Sequence, residues 1–361
     1  MFRQRKCSPL ILAHFQETLS LGKRTYALLG SSAMTCVLGG RIPHYKFGLI
    51  ADVQYADSEN GFNFSRTNER FYRRSLTLLK EAVDVWKKCD VDSVLQLGDV
   101  IDGKCKVIEQ SDICLQRVLD QFDELQRDVY HVWGNHELYN FDRKWLMTSD
   151  LAPKGASRSP PDCAYYSVDL HPQLRLVALD CYEVSLLGVD KSYRYFDQAW
   201  ETLSAINKNA TWNSPEGLVD LERRFLKYNG GCSTRQVQWL NEELAEARRR
   251  KQNVIVIGHS PVLESSGHAS NLLWNFDEIL QVLSAHKDSV LCYCCGHDHD
   301  GGFDQDEAGI HHITLPGVIE AVDNNPFGTA YLYDNHLMIT GNGSVPNFCI
   351  NLKYPINTGI S

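Results

Sequence analysis

Five apolar runs in this chain end abruptly on side chains drawn from Asp, Gln, Asn and His. They are "FGLIADVQ", "VLQLGDVID", "VYHVWGNHE", "VIVIGHSP" and "LCYCCGHDH". Unbroken apolar runs of this length suit strands covered on both faces, as in parallel sheets. In four of them Gly stands directly before the first polar residue, at Gly98, Gly134, Gly258 and Gly296. Open α/β folds place their chemistry at the carboxyl ends of such strands. The pattern restricts the chain to folds in which five strand ends meet.

Between the runs the apolar period changes to that of a helix. Residues 45–51 read as a strand, and Ser65 to Lys88 as a helix with Phe71, Leu78, Leu79, Ala82 and Trp86 on one stripe. A strand at 92–97, a helix at 109–127 and a strand at 129–133 complete a βαβαβ unit with right-handed crossovers. "CAYYSVDL" and "LRLVALD" suit an antiparallel pair around His171-Pro172, and the aromatic, polar residues 182–232 read as an irregular insertion. A helix follows at 234–250, with Ser233 and Gln236 in capping-box spacing and Val237, Leu240, Leu244 and Ala247 on its apolar face. A strand "NVIVIG", a helix at 275–286 and a strand "SVLCYCCG" repeat the alternation, and 309–314, 329–333 and 336–340 suit hairpin strands. The expected organisation is one domain over residues 45–350, with two sheets and helices outside. Residues 1–44 form an N-terminal extension, and 351–361 a tail.

A strand-end Asp or Asn alone is ordinary, because caps and turns favour these residues. Five such ends together form a ligand set large enough for two divalent cations. Two cations close together need a shared anion, and a carboxylate with two oxygens supplies one. Asp99, after Gly98, is the expected bridge. Asp52, Gln54 and His299 then complete one site, and Asn135, His259 and His297 the other. If extended, the i, i+2 pairs Asp52/Gln54 and His297/His299 each point to one face. Paired metals stabilise the attacking and leaving oxygens of a displacement at phosphorus and acidify a bound water, so no Ser or Cys nucleophile is needed. His136, beside a ligand, suits a hydrogen bond to the phosphate or protonation of the leaving group. Asp102 suits either a residue that orients His136 or a cap.

Net charge is -9 with no Lys/Arg run, which argues against a nucleic-acid groove and favours a metal ion as the partner of an anionic substrate. "YALLGSSAMTCVLGG" is too short to cross a bilayer. The 12 cysteines lack framework spacing, and read as reduced, mostly buried thiols of a cytoplasmic protein. Cys294 and Cys295 have no second CxxC to complete a zinc site. The basic, acid-poor residues 1–44 also suit mitochondrial targeting, and Met34 offers an alternative start.

The ordered motifs D-x-H, GDxxD, GNHE, GH and GHxH resemble the calcineurin-like metallophosphoesterase superfamily, over about residues 45–340. That resemblance implies a mixed α/β, four-layer αββα sandwich. The departure is Gln54, where the general pattern has His. "ADVQYAD…GFNF" and "HHITLPGVIEA" resemble one branch, the manganese-dependent diphosphatases of ADP-ribose and CDP-alcohols. The branch implies cleavage of ADP-ribose to AMP and ribose 5-phosphate. It also implies cleavage of CDP-choline, CDP-ethanolamine and CDP-glycerol to CMP and a phospho-alcohol. A neutral carbonyl ligand from Gln54 suits Mn²⁺ as the preferred ion, with Mg²⁺ or Zn²⁺ as alternatives. The expected partner is a small nucleotide diphosphate bound by a monomer, with Asn135 and His136 at its phosphates. Phe64 is the candidate platform for the base, beside Phe62. Tyr193, Tyr195, Phe196 and Phe225 of the insertion are candidates for a second wall. A phosphomonoesterase, a cyclic-nucleotide phosphodiesterase and a metal-free protein-binding scaffold remain alternatives on the same fold.

Overall fold

The structure is a computed structural model that describes residues 42–63, 65–153 and 163–356. Most of the expected N-terminal extension, the candidate Phe64 and the end of the tail lie outside the described residues. In chain order the strands are β1 (Tyr45–Ile50), β2 (Gly61–Phe62), β3 (Glu69–Arg70), β4 (Ser93–Gln96), β5 (Asp128–His131), β6 (Tyr166–His171) and β7 (Leu174–Ala178). They continue with β8 (Asn253–Ile257), β9 (Val290–Cys295), β10 (Gly302–Gln305), β11 (His311–Thr314), β12 (Phe327–Leu332), β13 (His336–Asn342) and β14 (Phe348–Asn351). One six-stranded sheet runs β14-β13-β12-β1-β4-β5, and a second runs β10-β11-β9-β8-β7-β6. Each has a parallel centre, β1-β4-β5 in the first and β7-β8-β9-β11 in the second.

Alternation along the strands makes the layers. Phe47, Leu49 and Leu95 of one sheet meet Leu176, Ile255, Ile257 and Leu291 of the other. The residues between them point outward: Ile50 and Val94 pack with helix Tyr72–Cys89, and Val254 and Val256 with helix Thr234–Arg249. Both faces of each central strand are buried, which explains the unbroken apolar runs. The expected four-layer αββα sandwich is the fold observed.

Some boundaries differ for identifiable reasons. The helix expected from Ser65 begins at Tyr72, and the residues before it form a hairpin of β2 and β3. Asn63 causes this. Its Oδ1 accepts the amides of Thr67 and Asn68 at 2.9 and 3.3 Å, a local bond that competes with helix. At the helix Thr234–Arg249, Ser233 Oγ accepts the Gln236 amide at 3.2 Å, as its spacing predicts. The return bond is replaced: the Ser233 amide goes to Glu183, and the Gln236 side chain bonds Asp180 and Glu183. The insertion 182–232 holds a helix, Phe196–Ile206, over a small core of Val184, Ala199, Leu203, Phe225 and Trp274. Strands β10 and β14 were not expected, and within the expected 309–314 only β11 (His311–Thr314) forms a strand, pairing in parallel with β9 as well as antiparallel with β10. Beyond β14, Leu352 and Ile356 are buried against the sheet and their amides bond Asn335 and Asp334.

Cys292 and Cys294 lie in the core between the sheets, and the described cysteines are free thiols. No helix among the described residues is long and apolar enough to cross a membrane.

Trp86 anchors the first sheet to its helix. The ring is fully buried, its Nε1–H donates to the Gly328 carbonyl at 3.1 Å, and its face lies on Gly48. A Cβ on Gly48 would sit 2.5 Å from Trp86 Cε2. Gly48→Ala should therefore destabilise the fold by about 2 kcal/mol through overpacking. Urea unfolding should show a lower midpoint with an unchanged slope. An unshifted midpoint would show that the indole is free to move.

Candidate metal centre

The site forms where the carboxyl ends of the two parallel centres meet. Asp52 and Gln54 follow β1, Asp99 follows β4, Asn135 follows β5, His259 follows β8, and His297 and His299 follow β9. The chain does not stay extended there. Asp52, Gln54, Asp99 and His297 take positive φ values of 53°, 42°, 58° and 68°, a region costly for side-chain-bearing residues. The i, i+2 pairs therefore converge through interlocked turns rather than strand alternation. The Asp52 amide bonds the Gly98 carbonyl at 3.1 Å, and the Gln54 amide the Asp99 carbonyl at 2.9 Å. The preceding glycines make room for a neighbouring ligand loop. A Cβ on Gly134 would lie 2.0 Å from Asp99 Oδ1, and one on Gly296 would lie 2.2 Å from Asp52 Oδ2.

Asp99 is the centre of the cluster. Its Oδ1 accepts the His136 amide at 2.8 Å. Its Oδ2 lies 3.1 Å from Gln54 Nε2, 3.3 Å from His259 Nε2 and 3.9 Å from His136 Nε2. A single oxygen, rather than the two expected, thus faces both groups of candidate ligands. Asp52 is divided in the same way. Its Oδ2 accepts the His297 amide at 3.0 Å, while Oδ1 lies 3.3 Å from His299 Nε2 and 3.5 Å from Gln54 Nε2. Ligand atoms of Asp99, His259 and His297 all lie within 4.8 Å of one another. Asn135 joins through Tyr182, whose hydroxyl donates to Asn135 Oδ1 at 3.2 Å and whose ring is 6.0 Å from that of His259.

Each histidine has one nitrogen bound to an acceptor. His259 Nδ1 donates to the Leu97 carbonyl at 2.8 Å, and His299 Nδ1 to Glu320 Oε1 at 2.8 Å. His297 Nε2 donates to Asn229 Oδ1 at 2.7 Å, and the Asn229 amide group is oriented by donating to the Arg224 and Ser270 carbonyls. These acceptors fix the tautomers and leave the other nitrogens for the cluster. His259 Nε2 and Gln54 Oε1 are buried without a hydrogen-bond partner. A half-turn of the Gln54 amide would present Oε1 to Asp99, Asp52 and His299 in place of Nε2. Buried polar atoms rarely lack partners, and a set of carboxylate, amide and imidazole donors fits divalent manganese. Burial opposes charge on His259 and His299, yet Asp99 lifts the first to about 9, while Asp52 and Glu320 lift the second to about 10. His297 shifts the other way: burial, together with the neighbouring His259, pushes its pKa well below the ordinary value.

His136 behaves differently. Burial lowers its pKa despite the nearby Asp99 and Asp102 carboxylates. Its Nδ1 accepts the Gly103 amide at 2.8 Å, so the proton of the neutral ring is on Nε2, the nitrogen that faces Asp99. Asp102 Oδ2 lies 3.3 Å from that Nδ1, but the hydrogen bond there comes from Gly103. Asp102 accepts the Lys104 amide and Arg70 Nη1, at 2.7 and 3.2 Å. It caps the loop whose Gly103 amide bonds His136.

Four further residues shape the site. Asn229, Tyr182 and Glu320 are described above, and the fourth is Glu137. Its carboxylate accepts the amides of Asp99, Val100 and Gly134 at 2.9, 2.7 and 2.7 Å, which joins two ligand loops. Glu137 stands within the GNHE motif and Glu320 within "HHITLPGVIEA", whereas no motif marks Asn229. The insertion's aromatics pack locally: Tyr193 against Arg143, Phe196 against Trp200, and Phe225 against Trp274. Tyr139 and Tyr228 instead bring rings within 5.0 Å of His136 and 5.8 Å of His297.

A family model described as calcineurin-like phosphoesterase matches residues 45–301. The chain belongs to the calcineurin-like phosphoesterases. Curated relatives are called manganese-dependent ADP-ribose/CDP-alcohol diphosphatase. The one from Danio rerio is 41% identical over 317 residues, covering 85% of this chain and 98% of the relative. The Homo sapiens protein is 39% identical over 324 residues, covering 86% and 93%. The Arabidopsis thaliana protein is 38% identical over 304 residues, covering 83% and 95%. A crystal structure of a dimetal phosphatase from Danio rerio superposes with a TM-score of 0.83 at 42% identity, covering 86% of this chain and 99% of that one.

Within this calcineurin-like phosphoesterase, Glu137→Ala should leave three buried amides without an acceptor. The expected loss is about 3 kcal/mol or more, read as a lower urea midpoint, together with weaker manganese binding. A near-unchanged midpoint would show that water or a neighbouring group satisfies those amides.

Proposed function

We propose that this chain is a dinuclear-metal hydrolase of the diphosphate bond in ADP-ribose and CDP-alcohols, with manganese as its working ion. The observation that carries the reading is Asp99 Oδ2, one buried oxygen turned toward both ligand groups. Asp52, Gln54 and His299 would hold one ion and Asn135, His259 and His297 the other, with the Asp99 carboxylate shared between the two groups. Curated relatives named for this activity match the chain over nearly their whole length. Metals bound here stabilise charge on the reacting phosphate oxygens and acidify water. The protein's own groups do the rest. His136 offers its Nε2 proton to the phosphate or the leaving oxygen, and Gly103 holds the ring in that tautomer. Asn135 and His136 position the phosphates. Phe64, two residues after the exposed Phe62, is the candidate platform for the base by its place in the sequence.

Purified protein incubated with manganese should release AMP from ADP-ribose and CMP from CDP-choline, and should leave cyclic AMP largely intact. Turnover of cyclic AMP or simple monoesters alone would contradict the diphosphatase reading. His136→Ala should lower kcat about 100-fold or more while two manganese ions remain bound. Loss of metal in step with activity would make His136 structural instead.

A further inference from the structure

The motif "LPGVIEA" sits between the metal cluster and the hairpin of β2 and β3, and contacts both. On one side, the Gly317 amide bonds the His299 carbonyl at 3.1 Å, and the Ile319 amide bonds the Asp52 carbonyl at 3.0 Å. Gly317 lies so close to His299 that a Cβ there would be 2.7 Å from the ring Cγ. On the other side, the Phe71 amide, just after β3, bonds the Ile319 carbonyl at 2.9 Å. One short segment thus touches a ligand loop from each sheet and the base of the hairpin.

Glu320 completes the connection. Its Oε1 accepts the His299 Nδ1 proton at 2.8 Å, and its Oε2 accepts the Asn68 Nδ2–H at 2.7 Å. Asn68 is the residue before β3, and its own amide bonds the Asn63 side chain at the hairpin turn. Arg70, within β3, lies 3.7 Å from Glu320 Oε1 through Nε and donates to Asp102 Oδ2 at 3.2 Å. Asp102 caps the loop whose Gly103 amide fixes His136. The hairpin is therefore linked to His299 through Glu320 and to His136 through Asp102. At its other end it presents exposed Phe62, 52% accessible, with Arg66 over the ring at 5.6 Å.

We propose that Glu320 is a positioning residue that couples the β2–β3 hairpin to the Asp52/Gln54/His299 metal group, so that a nucleotide held by the hairpin and the ion at that group reinforce each other. This rests on the function proposed above. Coupling of this kind is reciprocal: a nucleotide that orders the hairpin tightens the metal, and the metal tightens the nucleotide. A carboxylate that fixes a ligating histidine contributes on the order of 10- to 100-fold to metal affinity.

The test is manganese titration of the full-length protein, with and without AMP, for wild type, Glu320→Ala, Glu320→Gln and Asn68→Ala. Wild type should bind two ions, one of them more tightly when AMP is present. Glu320→Ala should weaken one ion about 10-fold or more, and Glu320→Gln, which keeps an acceptor for His299, should recover part of that loss. Asn68→Ala cuts only the hairpin arm. It should keep manganese affinity in the absence of AMP near wild type, reduce the AMP effect, with the Arg70 contact to Glu320 still in place, and raise KM for ADP-ribose more than it lowers kcat. Glu320→Ala with wild-type affinity for both ions would overturn the positioning role. An AMP effect as large in Asn68→Ala as in wild type would overturn the coupling. Wild-type protein that binds no manganese would refute the metal reading itself, a failure distinct from either.

Discussion

A buried carboxylate between two groups of nitrogen and oxygen donors is the constraint on which the rest of this structure depends. Asp99 is almost wholly enclosed, with one oxygen held by the His136 amide and the other turned into the cluster. Burying such a charge is unfavourable unless it is paired and hydrogen-bonded. The sheet ends supply the pairing. Strands β4 and β5 of one sheet and β8 of the other lead into the loops around Asp99, so that the GNHE loop reaches its Oδ1 and His259 its Oδ2. Glycine stands at Gly134 because Asp99 Oδ1 occupies the space a Cβ would need. The Glu137 carboxylate, itself buried, joins the β4 and β5 loops through three backbone amides.

The same constraint explains the backbone. Four candidate ligands have positive φ, a local cost that only a well-supported framework sustains. Support comes from the crossed backbone bonds between the β1 and β4 loops and from the tightly packed layers beneath them. Rigidity in the sheets and strain in the turns belong together. The sheets fix where the loops begin, and the turns bring side chains from different strands onto one point.

The sequence made the strand ends legible because their chemistry is local: an apolar run, a Gly, then Asp, Asn or His. That pattern pointed to Asp99, Asn135, His259, His297 and His299, and the Ala51-Asp52 end to Asp52; the parallel topology gathers these ends, and the turns complete their convergence. Features set by long-range contacts were not legible. Residues 65–71 carry helical periodicity, but Asn63 bonds the amides of Thr67 and Asn68 and makes a hairpin instead. Gly134 and Gly296 stand out in the sequence only as the residues before a ligand, whereas in the fold a neighbouring carboxylate fills the space a Cβ would need at each. Asn229 could not be singled out, since its role exists only once the insertion folds back to His297. Gln54 was visible as a departure from the general pattern, yet the partners of its amide include residues of two other loops, Asp99 and His299.

With both sites filled, Asp99 Oδ2 should lie between the two cations. The most direct measurement is an anomalous difference map from crystals of this protein grown with manganese. It should show two strong peaks, one on the Asp52, Gln54 and His299 side of Asp99 Oδ2, the other on the Asn135, His259 and His297 side. A single peak, or two peaks that do not share Asp99, would contradict it.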